Sequence, residues 1–138
     1  MNKQGEIIIV DDDTDDLDIL KEVYGLLPFV NRLVTFSDGE DVCNYLKNPE
    51  SYPFLIISDI NMPKMNGFEL RDRVFKEAEI AKRIIPFVFM STCADRSTMK
   101  KYCMNSFHGF FEKKSDFIQM TKMLERIIGY WKDAIPSD

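Results

Sequence analysis

Five short apolar runs punctuate the chain: Ile7–Val10, Leu33–Phe36, Phe54–Ile57, Ile85–Met90 and Phe110–Phe111. Continuous runs of this kind suit strands buried on both faces, as in a parallel sheet. Between them, apolar residues recur at helical spacing. Asp13 or Thr14 can cap a helix with Leu17, Leu20 and Tyr24 on one face, and Asp38 a second with Val42, Tyr45 and Leu46 inward. A third helix follows Gly67, with Leu70, Val74 and Phe75 inward. A fourth, short and weakly periodic, spans Asp95 to Met104, and the last starts near Ser115 with Phe117, Met120, Leu124, Ile127, Ile128 and Trp131 on its apolar face. Strand and helix alternate five times. The pattern predicts an α/β fold, a (βα)₅ sandwich with right-handed crossovers and helices on both faces of the sheet.

The 138 residues suit one domain, 1–138, with a core over about 5–132. No repeat or linker interrupts the pattern, and only a short tail, Asp133 to Asp138, follows the last helix, so no output domain is expected. Apolar residues make up 45% and charged residues 30%, the balance of an ordinary globular protein rather than a disordered one. The net charge of −5, without a basic stripe, argues against nucleic-acid binding. The polar start Met1 to Glu6 and the brevity of Ile7–Val10 argue against a signal core or a membrane span. Three cysteines, Cys43, Cys93 and Cys103, without C-x-x-C spacing read as reduced thiols of a cytoplasmic protein. With a single histidine, His108, zinc ligation is not expected.

Open parallel sheets bind ligands beyond the carboxyl ends of their strands, so the chemistry is sought there. Strand one ends in Val10 and runs into Asp11-Asp12-Asp13-Thr14-Asp15-Asp16. A solvated helix N-terminus, where acids favour the macrodipole, accounts for Asp13, Asp15 and Asp16. It accounts less well for Asp11 and Asp12, which follow the apolar run with no turn between. Strand three ends in Ser58-Asp59 before a turn rich in Asn, Pro and Gly; a turn does not need an acid at the strand tip. On one sheet edge Asp59 faces Asp11 and Asp12, and three crowded carboxylates raise one another's pKa unless a hard divalent cation such as Mg²⁺ relieves them. Strand four ends in Ser91-Thr92 and strand five in Glu112-Lys113-Lys114. Alone, the hydroxyls read equally well as a loop or cap, and the lysine reads better as a surface charge. Together with the acids they form a set suited to a phosphoryl group.

That set resembles the receiver domain of two-component response regulators. The resemblance rests on Ile-Ile-Val-Asp-Asp-Asp at 8–13, Asp-Ile-Asn-Met-Pro-Lys-Met-Asn-Gly at 59–67, Ile-Pro-Phe-Val-Phe-Met-Ser-Thr at 85–92 and Gly-Phe-Phe-Glu-Lys at 109–113, and it is greatest to short stand-alone receivers. It implies a flavodoxin-like, doubly wound five-stranded parallel sheet in the order 2-1-3-4-5. It also implies that Asp59 accepts a phosphoryl group from a histidine kinase or histidine phosphotransfer protein. Asp12 and Asp59, with the backbone carbonyl of Asn61, would ligate Mg²⁺ or Mn²⁺ directly, and Asp11 through water. Lys113 would pair with the acceptor or phosphoryl oxygen, Ser91 be the switch hydroxyl, the Thr92 backbone bind phosphate, and Phe110 be the aromatic switch residue. Such a protein is a signalling switch that catalyses only its own phosphorylation and dephosphorylation. Transition-state charge would be neutralised by metal and Lys113, with catalysis mostly by positioning.

Three positions depart from the family pattern. Lys114 stands where the family usually has proline, often after a cis bond; a non-proline cis bond costs about 3–4 kcal/mol, so the loop is expected trans or strained. Phe110 lacks the hydroxyl of the commoner tyrosine, and Thr92 replaces a frequent alanine beside the phosphate. Two other readings compete. A haloacid-dehalogenase-type phosphatase would want Thr at position 15 of Asp-x-Asp-x-Thr, where Asp15 stands, and a second acidic pair after the lysine. A pseudo-receiver would bind partners without phosphorylation. His108, the three cysteines, Trp131 and the methionines between Met90 and Met123 read as structural. The first helix is the expected kinase-docking surface by resemblance. Phe117, Met123 and Trp131 would extend an apolar face for homodimerisation through the last strand and helix.

Overall fold

The computed structural model describes residues 1–91 and 109–134, the side chains of 79–81 excepted. Five strands form one parallel sheet: β1 Glu6–Val10, β2 Leu33–Phe36, β3 Pro53–Asp59, β4 Phe87–Ser91 and β5 Phe110–Glu112. Their spatial order is β2-β1-β3-β4-β5, the doubly wound arrangement expected. The helices described are α1 Thr14–Gly25, α2 Gly39–Leu46, α3 Gly67–Ala81 and α4 Phe117–Asp133. The predicted helix over Asp95 to Met104 lies outside the described residues, as do Thr92, Cys93, Cys103 and His108.

Alternation along each strand feeds two cores. Ile7, Ile9, Leu55, Ile57, Val88 and Met90 pack with Leu17, Leu20 and Val23 of α1 and Met120, Leu124, Ile127 and Ile128 of α4. Ile8, Val10, Ile56, Phe87 and Phe89 pack on the other side with Val42, Cys43 and Leu46 of α2 and Leu70 and Val74 of α3. A strand buried on both faces has no use for polar alternation, which explains the continuous apolar runs. The strands differ from those runs at their ends. β3 begins at Pro53, tolerated because the first residue of a strand can lack its donor. β4 starts only at Phe87; Ile85 is buried ahead of it, and Pro86 contributes its carbonyl to Ile56 N–H at 3.0 Å.

Helix starts follow local capping. The Asp13 carboxylate accepts from the N–H groups of Asp15 and Asp16, Asp38 from Glu40, and Asp116 from Ile118 and Gln119. The last cap thus falls one residue beyond Ser115, and Phe117, expected inward, is 42% exposed. Met123 is buried within its own core and so does not extend an outward apolar face as expected, whereas Trp131 packs partly buried against that core; of the three, only Phe117 is exposed. No described helix is long and apolar enough to cross a membrane.

Candidate functional site: a carboxylate cluster at the strand tips

The parallel register fixes which residues meet at the carboxyl edge. Val10 pairs with Ser58, so Asp11 and Asp59 follow side by side on the two central strands. Asp59 pairs with Met90 and Ser91 with Glu112, which brings Ser91 and Lys113 to the same edge one step on. The Lys113 N–H donates to the Ser91 carbonyl at 2.8 Å, tying the tips of β4 and β5 together.

Asp11 is fully buried. One carboxylate oxygen accepts the Asp13 N–H at 3.0 Å, and the other accepts from Lys113 Nζ at 2.5 Å. Asp59 lies at the last position of β3, 9% exposed at its side chain. Its Oδ1 accepts the Ile60 N–H at 2.9 Å, and its Oδ2 faces Lys113 Nζ at 3.8 Å. Asp12 is exposed, but a carboxylate oxygen from each of Asp11, Asp12 and Asp59 lies within 4.8 Å of the others. Asn61 is exposed and its amide nitrogen lies 3.5 Å from the Ser91 hydroxyl, which is buried. Phe110 is half-buried against the core shared by α2 and α3. Thr92 lies outside the described residues. The Lys113–Lys114 bond is trans, as no described peptide bond is cis.

Burial pushes the Asp59 carboxyl up to about 6; Lys113 pulls it down less than burial and the neighbouring Asp11 raise it. Asp11 is also raised, by burial, against the hydrogen bonds from Lys113 and Asp13. For Lys113, burial pulls the ammonium down, yet the carboxylates around it leave its pKa above the ordinary value. Among the described residues, the edge therefore carries more negative charge than the Lys113 ammonium neutralises. Converging oxygens with a deficit of positive charge are the donor set of a hard divalent cation, and Asp11, Asp12 and Asp59 are the residues that fit one.

One residue of this edge was not legible as such, and a second, Gly67, was legible only as part of the 59–67 motif. Asp16, assigned to a solvated helix start, accepts from Lys113 Nζ at 2.9 Å. The signal available was its place in the first turn: side chains of a helix lean toward its N-terminus, which here sits over the tip of β1. Gly67 opens α3 where a Cβ would lie 2.5 Å from the Asp59 carbonyl oxygen. Its N–H donates to the Ile60 carbonyl at 2.8 Å, so the loop after Asp59 closes only around a residue without a side chain.

Comparison with known proteins bears on the fold and the family. The family model of the response regulator receiver domain matches residues 7–125. A probable methanogenesis regulatory protein, FilR2 of Methanothrix harundinacea, is 23% identical over 91% of this chain and 82% of its own length. Response regulator Rcp1 of Synechocystis is 22% identical over 94% of this chain and 90% of its own. Among solved structures, the phosphorylated cyanobacterial phytochrome response regulator RcpA superposes with a TM-score of 0.81 at 23% identity, covering 97% of this chain and 99% of that one. The Mn²⁺-bound form of Rcp1 superposes at 0.78 with 21% identity, over 97% and 99% of the two chains. With the fold, the strand order and a match over most of its length in agreement, the chain belongs to the response regulator receiver domain family.

Proposed function

We propose that Asp59 accepts a phosphoryl group from the phosphohistidine of a histidine kinase or phosphotransfer protein, and that the modified edge then changes a protein-interaction surface. The observation that carries this is the acceptor itself: a carboxylate at the tip of a central strand, raised to about 6 by burial, beside two further acids and a lysine. Asp59 Oδ1 is held by the Ile60 N–H, which leaves Oδ2, on the lysine side, as the attacking oxygen. The bond from phosphorus to the imidazole nitrogen breaks as the bond to Oδ2 forms.

Asp11, Asp12, Asp59 and the Asn61 backbone carbonyl would hold Mg²⁺, which supplies positive charge for the phosphoryl oxygens and keeps Asp59 ionised. Mn²⁺ is an alternative, in keeping with the Mn²⁺-bound Rcp1 structure. Lys113 supplies a second positive charge and Ser91 a hydroxyl to the phosphoryl oxygens; the Thr92 backbone, expected to bind phosphate, lies outside the described residues. A shift of Ser91 would pass along β4 to Phe110, which lies on the adjoining strand and, lacking a hydroxyl, responds by rotamer and packing alone. The donor protein would dock over the groove of about 600 Å³ beside the site, lined by Asp16, Ile19, Lys113, Lys114 and Phe117. Its rim carries exposed apolar side chains, Ile19 at 43% and Phe117 at 42%.

Beryllofluoride with Mg²⁺, a mimic of the aspartyl phosphate, tests the reading by heteronuclear NMR. Binding moves the amide signals of Ile60, Ser91, Phe110 and Lys113. An unchanged spectrum at saturating reagent would overturn the phosphoacceptor role and favour a pseudo-receiver.

A further inference from the structure

The Lys113 ammonium does not sit on the acceptor. It has three N–H donors; two contacts fall within hydrogen-bond distance, to Asp11 Oδ2 at 2.5 Å and Asp16 Oδ2 at 2.9 Å, whereas Asp59 Oδ2 stands at 3.8 Å. Asp11 belongs to the carboxylate group that fits a cation; Asp16 does not. Asp16 is nevertheless firmly placed. The Asp13 carboxylate accepts its N–H at 3.3 Å in the first turn of α1, and Asp13 in turn donates its own N–H to Asp11. The run from Asp11 to Asp16 thus folds around the lysine, and its last acid is one-third exposed on the docking groove.

We propose that Asp16 is a positioning residue for Lys113: it holds the ammonium on the α1 side of the site and competes with the phosphoryl group for it. A cation at the carboxylate cluster draws Asp11 away from the lysine, but leaves the Asp16 contact intact. Lys113 must then exchange Asp16 for a phosphoryl oxygen, and the strength of the Asp16 contact sets how tightly the phosphoryl group is held. This rests on Asp59 being the phosphoryl site.

The test compares Asp16→Asn with Asp15→Asn. Asp15 lies in the same turn, is exposed and has no contact with Lys113 among the described interactions, so its variant reports charge removal alone. At saturating Mg²⁺, Asp16→Asn should bind beryllofluoride roughly three- to tenfold more tightly than wild type, the scale of one charge-assisted hydrogen bond released. Asp15→Asn should change it far less, and in a Lys113→Gln background the Asp16→Asn gain should vanish. In the metal-free protein the Lys113 side-chain ammonium gives a protected NMR signal in wild type that is lost in Asp16→Asn and retained in Asp16→Glu. Equal affinities for the Asp15 and Asp16 variants, a gain that persists without Lys113, or an unmoved lysine signal would each overturn the proposal. Wild type that binds no beryllofluoride would instead sink the phosphoacceptor reading, and with it the competition.

Discussion

The two ends of strand β1 both carry a buried acid, and they are treated in opposite ways. At the amino end, Glu6 is only 9% exposed, and both its oxygens have donors: Oε1 accepts the Tyr52 N–H at 3.0 Å, and Oε2 accepts the Tyr45 hydroxyl with Arg32 alongside at 3.6 Å. Burial and the bond to Glu6 push the Tyr45 phenol up to about 12, so the proton stays where the acid needs it. Around it the backbone is closed as well. Asn31 donates to the carbonyls of Lys3 and Gly5 at 3.0 and 2.6 Å, and Lys132 Nζ to Lys3 at 2.7 Å. At the carboxyl end, Asp11, Asp16 and Asp59 share the Lys113 ammonium, and Asp12 converges on Asp11 and Asp59 without a cation of its own among the described contacts. A buried acid whose own oxygens all have donors costs the fold little; one left short of positive charge destabilises it and waits for a ligand. The sheet thus separates anchoring from chemistry along a strand five residues long.

That contrast predicts substitutions of opposite sign. Glu6→Ala removes the acceptor of two part-buried donors, the Tyr45 hydroxyl and the Tyr52 N–H, and should cost about 2 kcal/mol in urea unfolding, with Mg²⁺ affinity unchanged. A loss of Mg²⁺ affinity on that variant would mean the two ends are not independent. Asp59→Asn should do the reverse in the absence of metal. The native carboxyl, at about 6, holds a proton that the unfolded chain gives up near 4, so wild-type stability falls as pH rises through that window. The variant lacks this loss and should be more stable than wild type by the order of 2 kcal/mol at pH 7.5 in chelator, the gap closing below pH 4. Mg²⁺ should narrow it from the other side by stabilising wild type alone. A variant no more stable than wild type at pH 7.5 would break the claim that the acceptor edge is short of positive charge.

The sheet was readable because its strands are buried on both faces and its helices on one, which leaves different periods in the sequence. The tips of β1, β3, β4 and β5 were readable because a parallel sheet puts every strand's carboxyl end on one edge. What pattern does not carry is which of several neighbours an exposed side chain chooses. Asp16 and Asp15 look alike in the sequence, yet only Asp16 reaches Lys113, a partner brought in by the fifth strand. Phe117 carries the right spacing for the core but sits ahead of the point where α4 meets it. Met123 and Trp131, read as packing residues that could also extend a dimer face, are taken up by the chain's own core, which α4 meets from Met120 onward.

The central claim is that Asp59 takes the phosphoryl group, and the most direct measurement is intact-protein mass spectrometry after incubation with acetyl phosphate and Mg²⁺. Wild type should gain the mass of a single phosphoryl group, located by peptide mapping to the segment containing Asp59 and lost when chelator is added before the reagent. Asp59→Asn should gain none. No gain in wild type, or an undiminished gain in Asp59→Asn, would contradict the account.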